Sequence, residues 1–231
     1  MIYAVSDIHG CAWEFDELLK KIHFSNDDLL YVVGDTVDRG PNPIGVLRTM
    51  ALYPNIIPIL GNHEYMLLKC LPGLLKEIRE DNVEETLTKD FMEWTSTWMY
   101  NGGDITANAF KRLSREDQEF YLDYISEFSD YESVNLNGQQ YILIHSLPQV
   151  APYMDWRKCS METILFGRPD FYAEWPEDVI YITGHTPTFS IHEDYRGKYY
   201  RNGGLIDIDC GSTFDGTLCA YCLDTGEAFY V

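Results

Sequence analysis

Four short polar motifs, three of them directly after hydrophobic runs, restrict the folds that are open to this chain. The first three recur at intervals of about 27 residues, which is close to the length of a strand–helix–strand unit. Because the carboxyl ends of parallel strands meet at one edge of a sheet, this spacing predicts that the motifs come together there. The motifs are Asp7-Ile8-His9-Gly10, Gly34-Asp35-Thr36-Val37-Asp38-Arg39-Gly40, Gly61-Asn62-His63-Glu64 and Gly184-His185.

Hydrophobic runs of strand length occupy both ends of the chain and are separated by a helical stretch. Residues 65 to about 130 carry helical periodicity and almost no strand signal, so we predict a helical insert there. The expected fold class is α/β (α+β), with residues 1–231 forming one domain in which two mixed sheets pack face to face with helices outside. The predicted strands are 2–5, 29–33, 56–60, 140–144, 179–183, 205–209, 217–223 and 227–231.

The composition argues against two classes of partner. A formal net charge of −20 repels the backbone of nucleic acids, so a sequence-independent nucleic-acid binder is not expected. The longest apolar runs fall far short of the roughly 20 residues that a membrane helix needs. Since the first predicted strand begins at the N-terminus, we expect a cytoplasmic protein with no cleavable signal and no membrane partner. The same charge repels phosphate esters, so such a substrate would need metal ions or arginines beside it.

Six cysteines are present, and Cys219-Ala-Tyr-Cys222 has the spacing of a metal or redox pair. That pair lies in a predicted strand, where residues three apart point to opposite faces. The sequence offers no second pair to complete a zinc site, and a cytoplasmic location favours reduced thiols. We therefore expect the cysteines to be structural.

Carboxylate, amide and imidazole groups at the predicted strand ends match the ligands of two divalent ions. Asp7 and His9 are two residues apart where the first strand ends, so both can face one ion. Asp35 follows the neighbouring strand, and its two oxygens can bridge two ions. Mixed oxygen and nitrogen ligands suit manganese, which we expect here, or iron or zinc, but not calcium. The six candidate ligands are Asp7, His9, Asp35, Asn62, His145 and His185.

Three residues beside these ligands suit the hydrolysis of a phosphoester. His63 adjoins one of the ligands, and because six other positions already fill two ion sites, its imidazole is available as a general acid. Asp38 could accept the other ring N–H and hold the tautomer. Arg39 presents a guanidinium fork that matches phosphate oxygens. His23 and His192 lie in polar turns and are expected at the surface.

The motif set resembles that of the metallophosphoesterase superfamily, and residues 34–40 and 61–64 resemble its phosphoprotein phosphatase family in the compact form of phage and bacterial members. The resemblance covers nearly the whole chain and implies a β-sandwich flanked by helices. It also implies His63 with Asp38 as the acid pair and Arg39 as a phosphate clamp. The implied ligand sets are Asp7, His9 and Asp35 for the first ion, and Asp35, Asn62, His145 and His185 for the second.

Other parts of the resemblance concern the edges of the site. The family uses a second arginine on phosphate, and Arg168 resembles the bacterial version; the alternative is an exposed arginine in a turn. Residues 98–106 resemble a stretch of the bacterial members and are expected to shape the cleft. Leu60 and Ser146-Leu147 differ from the eukaryotic catalytic subunits, which argues against the regulatory-subunit behaviour of those enzymes.

The main functional prediction is a phosphomonoesterase of the serine/threonine protein phosphatase kind, acting on phosphorylated proteins or similar small phosphoesters. A hydroxide that bridges the two ions is expected to attack phosphorus in line while His63 protonates the leaving alkoxide. The alternative within the superfamily is a symmetrical dinucleoside tetraphosphate hydrolase, a group that commonly has Gly-Asp-Leu-Val-Ala-Arg-Gly in the second motif. Asp38 in place of that alanine favours the protein phosphatase. A catalytically inactive scaffold that binds phosphorylated ligands is a third hypothesis, against which the intact motif set argues.

Overall fold

Two five-stranded sheets form the centre of the protein. The structure, a computed structural model, describes residues 1–77, 79 and 81–231. In chain order the strands of these residues are β1 (Ile2–Val5), β2 (Leu29–Val33), β3 (Ile56–Ile59), β4 (Glu132–Leu136), β5 (Gln139–Leu143), β6 (Val179–Thr183), β7 (Tyr200–Asn202), β8 (Leu205–Asp207), β9 (Cys219–Cys222) and β10 (Ala228–Tyr230).

Each sheet contains three parallel strands. The first sheet has the order β10-β9-β1-β2-β3, with β1, β2 and β3 parallel to one another and β9 antiparallel to β1. The second has the order β4-β5-β6-β8-β7, with β5, β6 and β8 parallel and an antiparallel strand at either edge. Both sheets are therefore mixed, and the predicted α/β sandwich of two mixed sheets is confirmed.

The two sheets bury one face of each against the other. Val33 of β2 packs in the same buried cluster as Ile182 of β6. Its neighbour Val32 points to the opposite face, where it packs with the helical residues Leu18 and Leu47. This alternation places an apolar layer between the sheets and leaves the loops at the strand ends for polar residues.

Helices cover the sandwich and fill the middle of the chain. Five of them, from Asn62–Leu75 to Arg115–Ser126 along the chain, fall in the stretch from residue 65 to about 130, or begin just before it, where the helical insert is predicted, although residues 78 and 80 are outside the described part. None of the described helices is long and apolar enough to cross a membrane. The helices are α1 (Ala12–Lys21), α2 (Pro43–Leu52), α3 (Asn62–Leu75), α4 (Val83–Thr86), α5 (Lys89–Tyr100), α6 (Gly103–Phe110), α7 (Arg115–Ser126), α8 (Met161–Leu165) and α9 (Thr188–Ile191).

The structure contains two edge strands, β4 and β7, that were missing from the predicted set. β4 alternates between exposed and half-buried residues, so its hydrophobic signal is weak. The turn between β4 and β5 is Asn137-Gly138, with φ of 52° and 85°. An Asn-Gly pair in this conformation is a strong hairpin signal, and it was available in the sequence. β7 has only three residues and offers too short a pattern to recognise.

The Cys219-Ala-Tyr-Cys222 pair lies in β9, an interior strand of the first sheet. All six cysteines of the chain are free thiols, and five of them are buried. This burial agrees with the structural role expected for them, because a buried thiol behaves as a small apolar side chain.

Candidate active site

The predicted ligands lie in loops that follow parallel strands of both sheets. The first sheet contributes the loops after β1, β2 and β3, and the second contributes those after β5 and β6. The two sets of loops touch directly, since the backbone N–H of His185 donates to Asp7 Oδ2 at 2.9 Å. The structure thus brings together Asp7, His9, Asp35, Asn62, His145 and His185.

Much of this site is built on strained backbone. Nine described residues other than glycine have φ between 46° and 71°, and six of these belong to the predicted site. A left-handed conformation costs about 1–3 kcal/mol for a residue with a side chain. The surrounding hydrogen bonds must therefore hold these loops in place. The six residues are Asp7, His9, Asp35, Asp38, Arg39 and His185.

One group of potential metal-binding side chains consists of His9, Asp35 and His63, whose ligand atoms lie within 4.8 Å of one another. His9 Nε2 is 3.7 Å from Asp35 Oδ2 and 3.9 Å from Asp7 Oδ1. His63 Nε2 is 3.8 Å from the same oxygen of Asp35. Asp7 therefore borders this group, and His63, which the sequence analysis assigned to proton transfer, lies within reach of the same carboxylate.

A second group shares Asp35 and adds His145 and His185, again within 4.8 Å. His145 Nε2 is 3.4 Å from Asp35 Oδ1. Asn62 Oδ1 lies between the two rings, 3.0 Å from His145 Nε2 and 2.8 Å from His185 Nδ1. The two oxygens of Asp35 therefore face two separate sets of nitrogen donors, as a bridging carboxylate requires.

The histidine tautomers suit metal binding. His9 Nδ1 is 2.9 Å from the carbonyl oxygen of Val37, and His145 Nδ1 is 3.0 Å from that of Val33. Because a carbonyl oxygen only accepts, each ring carries its proton on Nδ1. The lone pair on Nε2 then points into the site, where that of His9 accepts from Arg39 Nη1 at 2.8 Å. Neutral imidazoles held in this way by backbone carbonyls are typical metal ligands.

The pKa shifts of the site residues also favour metal binding. Burial raises the pKa of the Asp7 carboxyl well above its usual range, and the charges of Asp209 and Asp35 add to the shift. Burial also raises the pKa of Asp35 and lowers the pKa of His145 to about 4. A cation at the centre would favour ionised carboxylates and neutral imidazoles together. The donor set therefore fits divalent ions.

His63 is held by a buried carboxylate. Its Nδ1 lies 2.6 Å from Asp38 Oδ2, and Trp98 Nε1 donates to the same oxygen at 2.7 Å. The backbone N–H of Asp38 donates to Thr106 Oγ1 at 2.9 Å. Burial raises the pKa of the Asp38 carboxyl to about 7, although the neighbouring Thr106 hydroxyl and the hydrogen bond from Trp98 oppose the shift. Since Trp98 lies in α5 and Thr106 in α6, the helical stretch supports the site directly.

Two arginines bring positive charge to the cleft in front of these residues. Arg39 Nη1 donates to His9 Nε2 at 2.8 Å, and its Nη2 donates to His63 Nε2 at 3.0 Å. Arg39 and Arg168 both line a cleft of about 520 Å³ whose wall also includes Asn62. Arg168 is exposed, yet it faces this cleft. The local positive charge that an anionic substrate needs is therefore present.

Glu64 is a buried residue of the third motif to which the sequence analysis gave no role. Its Oε2 accepts from the backbone N–H groups of Gly61 and Asp35, at 3.0 and 2.9 Å. Its Oε1 accepts from the N–H and the hydroxyl of Thr36, at 2.7 and 2.9 Å. One carboxylate thus joins the second motif to the third. The signal was a glutamate three residues after the helix N-cap, where capping boxes place it.

Glu64→Gln should destabilise the protein by about 2–4 kcal/mol, because an amide nitrogen would face N–H donors in a buried site. Urea unfolding followed by circular dichroism measures this change. Glu116→Gln, on the exposed first turn of α7, is the matched control and should change stability by less than about 0.5 kcal/mol. Equal stability of the two variants would show that Glu64 does not hold the motifs together.

Asp207 and Asp209 are two further buried carboxylates that the sequence analysis did not select. Asp207 Oδ2 accepts from Thr183 Oγ1 at 3.1 Å, and Asp209 Oδ1 accepts from the N–H of Gly211 at 3.0 Å. Burial raises the pKa of Asp209 to about 6, and its charge in turn contributes to the raised pKa of Asp7. The sequence pattern that could have identified them was the presence of two acidic residues within an otherwise apolar predicted strand.

Comparison with known proteins supports the fold. The model of the calcineurin-like phosphoesterase family matches residues 1–209. A solved structure of a protein proposed to be a diadenosine tetraphosphatase superposes with a TM-score of 0.67 and 18% identity, covering 100% of this chain and 92% of that chain. At that identity the likeness concerns the fold alone.

Two relatives matched by sequence carry the same name. A symmetrical bis(5'-nucleosyl)-tetraphosphatase of Nitrosococcus oceani is 40% identical over 100 residues, a stretch that covers 42% of this chain and 36% of the relative. The match therefore spans about a third of that protein. A protein of the same name from Nitrosomonas europaea is 24% identical over 274 residues, covering 99% of this chain and 97% of the relative.

These names overturn the main functional prediction, and a serine/threonine protein phosphatase acting on phosphoproteins is the wrong interpretation. The error came from the weight placed on Asp38. Asp38 is fully buried, its carboxylate contacts His63 and Trp98, and it does not line the cleft. A residue that is buried away from the cleft carries no information about which substrate the cleft accepts.

Proposed function

The chain belongs to the calcineurin-like phosphoesterase family, and from that membership we propose that it hydrolyses dinucleoside tetraphosphates symmetrically. Similarity to relatives that bear this activity in their names supports the substrate. The observation that carries the proposal is the pair of candidate ion-binding groups that share Asp35, beside a cleft that contains Arg39 and Arg168. Such a site suits a substrate made of linked phosphate groups.

Two divalent ions, manganese first and iron or zinc as alternatives, would supply an activated water and neutralise phosphate charge when bound. Their ligands come from loops of both sheets. The proposed ligand sets are Asp7, His9 and Asp35 for one ion, and Asp35, Asn62, His145 and His185 for the other.

The proposed reaction adds one water molecule across the central phosphoanhydride of diadenosine tetraphosphate. The water oxygen bonds to one inner phosphorus atom, the bridging oxygen leaves with the other, and two ADP molecules result. With one ring proton kept on Nδ1 by Asp38, His63 would take up a second proton on Nε2, the atom that accepts from Arg39 in the structure, and pass it to the leaving oxygen. Arg39 and Arg168 would hold phosphate oxygens with their guanidinium forks.

The proposal also includes two properties of the whole protein, the lack of a nucleic-acid partner and a cytoplasmic location. The net charge of −20 supports a protein without a nucleic-acid partner. The six free cysteines support a cytoplasmic location, because such thiols stay reduced there.

The purified protein with manganese should convert diadenosine tetraphosphate to ADP at least about tenfold faster than it dephosphorylates a phosphoserine peptide. Chromatography of the products at matched substrate concentrations measures both rates, and a chelator should abolish both. Faster release of phosphate from the peptide would contradict the proposed substrate. ATP and AMP as products would contradict symmetrical cleavage. Inactivity on every substrate, with each of the three metals, would favour the inactive scaffold.

A further inference from the structure

Two phenylalanines at the mouth of the cleft have no role in phosphate chemistry. Phe189 lies in α9, four residues after His185, and Phe214 lies in the loop before β9. Both line the cleft that contains Arg39 and Arg168. We propose that Phe189 and Phe214 form a stacking surface for a nucleobase of the substrate, an inference that rests on the proposed tetraphosphatase function.

The two rings pack edge to face, and the guanidinium of Arg196 lies over one face of Phe189, with its Cζ 4.3 Å from the ring centroid. The centroids of the two phenylalanine rings are 6.0 Å apart with planes inclined by 70°. Phe214 remains 44% exposed, so part of its ring is open to the cleft. The exposed ring lines the same cleft as Arg39 and Arg168, so it faces the space that a ligand would occupy. It is well suited to a flat aromatic ligand.

The segments that carry the rings are fixed to each other and to the site. The N–H of Thr188 donates to the carbonyl of Asp209 at 2.9 Å, and the N–H of Phe214 donates to that of Gly211 at 2.8 Å. Ser212 Oγ donates to the carbonyl of Asp7 at 2.8 Å, which ties the Phe214 loop to a candidate ion ligand. The stacking surface is therefore preorganised, and a ligand need not order it.

Gly211 is what lets the Phe189 ring lie so close to this loop. A Cβ atom added at Gly211 would come within 3.0 Å of Phe189 Cε1, and the glycine has φ of +77°. A side chain at this position would push the ring away and strain the backbone. The close approach thus depends on glycine.

Arg39 connects this surface to the reacting phosphate. Its Cζ lies 5.3 Å from the centroid of Phe214, while its Nη atoms donate to His9 and His63. A phosphate held by Arg39 therefore has the Phe214 ring beside it. A nucleoside attached to that phosphate chain could extend over the aromatic surface. Base–aromatic stacking accepts any base, which suits a hydrolase that recognises nucleotides by their shared parts.

The cleft has a third aromatic residue, Phe166, that suits the symmetry of the proposed substrate. Phe166 lines the same cleft and is backed by Tyr65 and Trp94, with centroid distances of 6.3 and 5.9 Å. A dinucleoside polyphosphate carries an aromatic base at each end of its phosphate chain. A peptide with one phosphorylated residue has no such requirement. The arrangement of aromatic groups around arginines therefore favours the nucleotide.

The test compares inhibition of para-nitrophenyl phosphate hydrolysis by ADP and by pyrophosphate, which share two phosphates and differ by the nucleoside. In the wild type, ADP should inhibit at a lower concentration than pyrophosphate. Phe189→Leu and Phe214→Leu should each reduce the ratio of the pyrophosphate to the ADP inhibition constant by at least about fivefold. Phe214→Tyr, which retains the ring, should keep the ratio within about twofold of the wild type.

Phe120→Leu is the matched control, because Phe120 on α7 is exposed to a similar degree as Phe214, 52% against 44%, and does not line the cleft. It should leave the ratio unchanged. A wild-type ratio near one, or ratios that do not fall in the two leucine variants, would overturn the inference. So would an equal loss of affinity for a phosphoserine peptide, which would assign the surface to peptides. If the ratio falls as expected but diadenosine tetraphosphate is not cleaved, the stacking surface stands and the proposed function fails.

Discussion

Asp35→Asn should reduce turnover of diadenosine tetraphosphate by at least about 10³-fold, because one substitution removes the charge shared by both candidate ion-binding groups. Asn has nearly the same shape, and its side-chain oxygen can still accept from the backbone N–H of His63, as Asp35 Oδ1 does at 3.0 Å. The fold should therefore persist. Turnover at saturating manganese and the number of ions bound per chain, measured by mass spectrometry of the metal, test this expectation.

Asp123→Asn provides the control for the Asp35 substitution, since Asp123 is an exposed carboxylate on α7. It should alter neither turnover nor ion content. An Asp35→Asn protein that binds two ions and retains activity within about tenfold of the wild type would remove the bridging role. If ion content stays at two while activity is lost, Asp35 acts in the reaction and not in holding the ions.

His63→Asn should lower turnover of an alkyl phosphomonoester by about 10²–10⁴-fold, the range associated with losing a general acid. The reason is that an alkoxide leaves slowly without a proton, and His63 is the imidazole oriented by Asp38 and Trp98. With an aryl phosphate, whose leaving group needs less protonation, the loss should be much smaller. The contrast between the two substrates, measured at one pH, is the readout.

His23→Asn is a suitable control for the His63 variant. His23 is exposed and has φ of 52°, a left-handed conformation that asparagine tolerates well. Turnover on both phosphates should match the wild type. If His63→Asn lowers both rates equally and also lowers ion content, then His63 is a metal ligand, as its place in the first ion-binding group allows. That outcome would falsify the assignment as general acid.

Sequence patterns were sufficient to predict the features that depend on hydrophobic periodicity and on position along the chain. Apolar runs followed by polar residues located β1, β2 and β3 and the edge at which Asp7 and Asp35 meet. The helical stretch between β3 and β4 along the chain was also predicted from its periodicity. These features are local, because a strand and the residues that follow it are adjacent in sequence.

The remaining features depend on contacts between distant segments. Nothing in the pattern indicates that Trp98 would donate to Asp38, sixty residues away, or that Glu64 would hold the second motif. The left-handed backbone at Asp35 and His185 is likewise imposed by tertiary hydrogen bonds. The substrate was misjudged for the same reason, since the aromatic wall of the cleft comes from three separate loops and helices.

The division of the site between two sheets has a consequence for the stability of the protein. Asp7 and Asp35 belong to one sheet, His145 and His185 to the other, and Asn62 lies between the two histidines. A cation bound by ligands from both sheets would link the two sheets, because they could not separate without releasing it. Its binding free energy is then added to the stability of the fold. Resistance to heat and to proteases would rise with the supply of that cation, so the same ion would govern how fast the protein works and how long it lasts.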